Sequence, residues 1–86
     1  MDDEQFALIS KTVADPSRLA GLRIIAAGEV TCSELKEHLG LTAATVSHHV
    51  KELTATGLVH SRREGKFLCL DLNREVWKDY IRELQR

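Results

Sequence analysis

Between positions 42 and 66 the chain gathers the side chains with a shared chemical use. Thr42, Ala43, Ala44, Thr45, Ser47, His48 and Lys51 come first, and Arg62, Arg63 and Lys66 follow within five residues. Small residues let a backbone approach a duplex closely, hydroxyls and imidazoles bond to base edges, and cations neutralise phosphates. That is the chemistry of DNA recognition rather than of bond making. The chain has no glycine-rich phosphate loop, no nucleophile elbow and no carboxylate pair distinguishable from surface charge, so it is not expected to be an enzyme. Residues 42–66 carry four Lys and Arg against two Asp and Glu, whereas residues 1–41 carry four against seven. The net charge of −1 argues against indiscriminate polyanion binding, and the local excess marks one basic patch.

Short helices must position these residues. Phe6, Ile9 and Val13 have helical spacing over residues 5–14, and Asp15-Pro16 ends that helix and starts the next. The second helix buries Leu19, Leu22, Ile25 and Ala26 and stops at Gly28. Thr31 and Glu34 have capping-box spacing for a third helix that ends at Leu39-Gly40. A fourth, capped by Thr42, runs to about residue 56 with Val46, Val50 and Leu53 inward. The period then changes to two. Residues 58–63 and 66–72 read as strands of a hairpin turning at Glu64-Gly65, with Leu68, Leu70 and Leu72 on the core face and Cys69 on the other.

A last helix, capped near Asn73, presents Val76, Tyr80 and Leu84, with Trp77 and Ile81 beside them. This stripe is wide for so small a domain and implies contact with a second chain. The expected fold is mainly α with a small β-hairpin: a winged helix-turn-helix of five helices and a two-stranded wing, one domain over residues 1–86. The part of the seam this stripe supplies is expected in residues 73–86, with Val76, Trp77, Tyr80, Ile81 and Leu84. An 86-residue chain buries a limited share of its surface, which makes a second copy a natural source of stability. No apolar run approaches a membrane span and no secretory pattern opens the chain, so a cytoplasmic location is expected. Two cysteines, Cys32 and Cys69, do not make a disulfide framework.

Ala14-Asp15-Pro16-Ser17-Arg18-Leu19, Glu34-Leu35 with Leu39-Gly40-Leu41, Thr45-Val46-Ser47-His48-His49-Val50-Lys51-Glu52-Leu53, Gly57-Leu58-Val59 and Arg62-Arg63-Glu64-Gly65-Lys66 occur in this order. Together they resemble the arsenical-resistance repressor (ArsR/SmtB) family of winged-helix regulators, from about Phe6 to Leu72. The resemblance implies a homodimer joined through the first and last helices, residues 4–14 and 73–86, with Phe6 and Ile9 adding to the seam, that binds an inverted-repeat operator in double-stranded DNA and represses transcription until an inducer, a small molecule or a protein, releases it. It implies that residues 42–51 lie on the reading helix, with Ser47 and His48 at contacting positions. Many relatives have Gln where this chain has Ala43, which removes a bidentate adenine contact.

The family's metalloid site is a Cys-x-Cys whose positions are Thr31 and Ser33 here, and its zinc site needs Asp and His on the last helix, where residues 73–86 contain no His. Neither metal nor cofactor is therefore expected. Two alternatives stand beside the repressor reading. One is a redox-responsive repressor using Cys32 and Cys69, although relatives that switch this way carry their cysteines on the second and last helices. The other is a winged helix whose same face binds a protein, which would favour exposed aromatic or aliphatic anchors over small polar residues.

Overall fold

Each helix starts where a side-chain oxygen meets the free amides of the first turn. In the computed structural model, which describes residues 1–86, Asp2 accepts from the Gln5 amide at 2.7 Å and opens α1 (Asp3–Val13). Asp15 accepts from the Arg18 amide at 2.9 Å, with Pro16 leading α2 (Pro16–Ala27). Thr31 and Glu34 form the reciprocal box of α3 (Cys32–Leu39), at 3.1 and 2.9 Å. Thr42 caps α4 (Ala43–Ala55), and Asn73 caps α5 (Arg74–Leu84). Between α3 and α4 the chain reverses at Gly40, whose φ of 65° lies in the left-handed region that other residues rarely adopt.

The sheet differs from the expected hairpin in two respects. Val30–Thr31 forms a short strand, β1, so the order is β1-β3-β2 with all pairings antiparallel. Two residues are too few to show a period of two, and their partners Leu70 and Cys69 lie far along the chain. The wing strands are β2 (Val59–Glu64) and β3 (Phe67–Leu72), and Glu64 pairs with Phe67. The turn is thus Gly65-Lys66 rather than Glu64-Gly65. A positive φ at Gly65 alone, 58°, matches the first central position of a type II′ turn, whose twist suits a hairpin.

Ile9, Ile25, Leu35, Leu53 and Leu70 are fully buried, one from each of α1, α2, α3, α4 and β3. Leu58, equally buried, sits at the corner between α4 and β2. There the Thr56 hydroxyl donates to the Leu53 carbonyl at 2.6 Å and accepts from the Leu58 amide at 3.1 Å, which fixes where the wing leaves the fourth helix. Arg18 ties α1 to α2 by donating from Nε to the Thr12 carbonyl at 2.8 Å.

The expected seam divides. Ile9 is 0% exposed and Tyr80 5%, so both belong to the chain's own core and have little or no surface to offer a partner. Tyr80 shares a 2.9 Å hydrogen bond with Ser10 and lies between the rings of Phe6 and Trp77. Phe6, Val76, Trp77 and Ile81 are half-buried, while Leu84 and the unanticipated Leu8 are exposed. Cys69 is also corrected. It lies on the face opposite Leu70 but is buried, with β1 alongside and its Sγ 3.5 Å from Glu64 Oε2.

Two capping carboxylates make stability depend on acid. The Arg18 amide holds the Asp15 carboxyl below its ordinary value, and the Thr31 amide does the same for Glu34. A carboxyl depressed in the folded state contributes stability that is complete above its unfolded pKa of about 4 and is lost as pH falls through the folded value. The melting temperature is therefore expected to decline below about pH 4. Asp15→Asn combined with Glu34→Gln should flatten that decline, as followed by circular dichroism. An unchanged acid profile would mean that these caps are not its source.

Candidate nucleic-acid interface

α4 follows from a buried stripe and what it leaves outside. Val46, Val50 and Leu53 face the core, so successive turns of the helix present Ala43, Ala44, Ser47, His48 and Lys51 to solvent, and all five are exposed. Thr42 and Thr45 are exposed as well but are used locally: the Thr42 hydroxyl accepts from the Thr45 amide at 3.2 Å and donates to the Thr45 hydroxyl at 2.9 Å. No acidic residue occupies the first turn, so the positive end of the helix dipole is uncompensated and favours an anion. His49 is half-buried with Nδ1 shielded and unpartnered.

α3 brings beside α4 a cation, Lys36, that was not among the expected site residues. Cys32, Ser33 and Lys36 line a cleft of about 100 Å³ with Ala43, Val46 and Ser47 of α4. Lys36 thus stands beside the small outer face of the reading helix. Its one available signal was helical spacing from Cys32, and an exposed lysine on a short helix otherwise reads as solvated surface. Lys36, Lys51, Arg63 and Lys66 take part in none of the four ion pairs of the chain, so their charges are free.

Arg62 is different. Its guanidinium forks onto both carboxylate oxygens of Glu29 and also donates to Glu64 at 2.9 Å. The Arg62 hydrogen bonds depress Glu29, and the two carboxylates raise Arg62 in turn. Register places Arg62 opposite Cys69 and Arg63 opposite Leu68, so the neighbouring arginines leave opposite faces of the wing. The structure therefore brings Arg63 and Lys66 to the tip as free cations and leaves Arg62 paired. Lys66 lies over the exposed Phe67 ring, 5.5 Å from its centroid.

At the metalloid positions of the family, the Thr31 hydroxyl already accepts from the Glu34 amide. Nowhere do three or more His, Cys, Asp or Glu side chains converge as a metal site would require. Burial pushes both thiols up, Cys32 in the cleft and Cys69 beside Glu64, which disfavours the reactive thiolate.

A helix-turn-helix with a small polar reading face, followed by a twisted hairpin with a cationic tip, defines a winged helix-turn-helix DNA-binding protein. A family model described as a helix-turn-helix domain matches residues 13–62. The arsenical resistance operon repressor of Staphylococcus xylosus is 36% identical over 83 residues, which cover 96% of this chain and 79% of that one. Among solved structures, an ArsR-like transcriptional regulator from Rhodococcus sp. RHA1 superposes with a TM-score of 0.87 at 22% identity, covering 96% and 78% of the two chains. The homodimeric winged helix-turn-helix DNA-binding domain of a possible ArsR-family regulator from Mycobacterium bovis gives 0.81 at 26%, covering 94% and 82%. The chain belongs to the arsenical-resistance repressor (ArsR/SmtB) family, whose members are DNA-binding transcriptional regulators and not enzymes. No helix is long and apolar enough to cross a membrane.

Proposed function

We propose that the chain is a cytoplasmic transcriptional repressor that binds an inverted-repeat operator as a homodimer, without a metal or other cofactor. The observation that carries this reading is the exposed face of α4, small and polar over its first turns, with Lys36 beside it, in a chain whose wing carries Arg63 and Lys66 outside any ion pair. Thr42, Ala43, Ala44 and Thr45 form the close approach, Ser47 and His48 read bases, and Lys36, Lys51, Arg63 and Lys66 meet phosphates. The dimer joins α1 and α5 through Phe6, Leu8, Val76, Trp77, Ile81 and Leu84. Its support is that two large apolar side chains, Leu8 and Leu84, stand exposed on those helices, and that the Mycobacterium bovis neighbour is homodimeric.

A protein-binding face has less to recommend it, because the outer face of α4 shows no aromatic or aliphatic anchor and the wing offers one, Phe67, beneath the Lys66 ammonium. Selection of bound duplexes from a random-sequence pool tests the choice. An inverted repeat with half-sites about one helical turn apart is expected. Recovery of nothing above background at low salt would transfer the face to a protein partner.

A further inference from the structure

We propose that Arg62 is a positioning residue: it stays clasped by Glu29 and Glu64 when DNA is bound and fixes the angle of the wing to the body. The proposal rests on the DNA-binding reading above and departs from the expectation that Arg62 itself meets phosphate. Residues 60–67 are all exposed, and beyond the Arg62–Cys69 pair, where β1 ends, the wing has two strands with only the half-buried Leu68 packed against the core. A two-stranded ribbon with one half-buried apolar side chain beneath it is marginal. Glu29 lies in the connection from α2 to β1, and Glu64 is the last residue of β2 before the turn. One guanidinium therefore ties the distal wing to the body, and the Cys69 thiol adds a contact to Glu64.

The electrostatics favour retention. Two carboxylates surround one guanidinium, so a phosphate that captured Arg62 would replace two anionic partners with one. It would also leave Glu29 and Glu64 uncompensated beside the DNA backbone, a like-charge arrangement that opposes binding. The opposite facing of Arg62 and Arg63 reinforces this, since a wing that turns Arg63 toward the helices turns Arg62 toward Glu29. Lysine cannot replace the clasp, because an ammonium lacks the planar fork that engages both oxygens of one carboxylate while reaching a second.

The test combines amide hydrogen exchange over residues 60–67 in the free protein with operator affinity at several salt concentrations. Arg62→Lys and Arg62→Ala should both speed wing exchange and weaken operator binding about fivefold or more, with the salt slope unchanged. Glu29→Ala should weaken binding in the otherwise unaltered chain, yet tighten it in the Arg62→Ala background, where only a repulsive charge is removed. Melting temperatures confirm that each variant is folded. The proposal is overturned if Arg62→Lys keeps full affinity while Arg62→Ala flattens the slope by about two, the mark of a phosphate contact in each protomer. Equal tightening by Glu29→Ala in both backgrounds overturns it as well. Failure of the unaltered chain to bind any duplex would overturn the DNA-binding reading and this role with it, before any substitution is made.

Discussion

Raising the salt from about 50 to about 200 mM should weaken operator binding on the order of ten-thousandfold, a log–log slope of about −7. The slope follows from four phosphates neutralised by each protomer of a dimer, with about 0.9 counterion released per contact. The number agrees with a count of Lys51, Arg62, Arg63 and Lys66, but the proposed contacts are Lys36, Lys51, Arg63 and Lys66. Arg62 is held by Glu29 and Glu64, and Lys36 stands free at the cleft between α3 and α4. Lys36→Ala should therefore flatten the slope to about −5, one phosphate lost in each half-site, whereas Arg62→Ala should lower affinity without changing it. Fluorescence anisotropy with a labelled operator, titrated at four or five salt concentrations, measures both. A slope near zero for the unaltered chain would remove phosphate neutralisation as the source of affinity.

The pairing of Arg62 and the place of Lys36 beside α4 show where residue order ceases to inform. Caps and breakers are local, so Asp15-Pro16, Thr31 with Glu34, and Thr42 after Gly40 place four helix ends without tertiary knowledge. The outer face of α4 is equally legible, because a buried stripe at Val46, Val50 and Leu53 dictates what lies opposite. Pairings between distant residues are another matter. Glu29 meets Arg62 across 33 positions, and Val30 meets Leu70 across a strand too short to leave a periodic trace. Ile9 and Tyr80 fail for a related reason. An apolar stripe states that a helix face is covered but not by what, and here the chain's own core covers those two while Leu8 and Leu84 stay open.

Ser47→Ala and His48→Ala should each reduce the preference for operator over unrelated duplex by about 1–3 kcal/mol per half-site, while Arg63→Ala should weaken all duplexes alike. The division follows from what α4 leaves available. Ala43 and Ala44 have no polar atom beyond the backbone, and the Thr42 hydroxyl is engaged with the Thr45 amide and donates to the Thr45 hydroxyl. Ser47 and His48 are then the exposed polar side chains of the reading face that can donate to or accept from a base edge, and Lys51 lies one turn further on. Because both half-sites of a symmetric operator are read, the two losses in a dimer add, and a single substitution should cost about 2–6 kcal/mol of discrimination. Arg63 projects from the wing, where an approach to the sugar–phosphate backbone carries no sequence information. Competition binding against a library of single base-pair operator variants separates the two behaviours. Loss of preference in Arg63→Ala with uniform weakening in Ser47→Ala would exchange the roles, making the wing the reader and α4 the clamp.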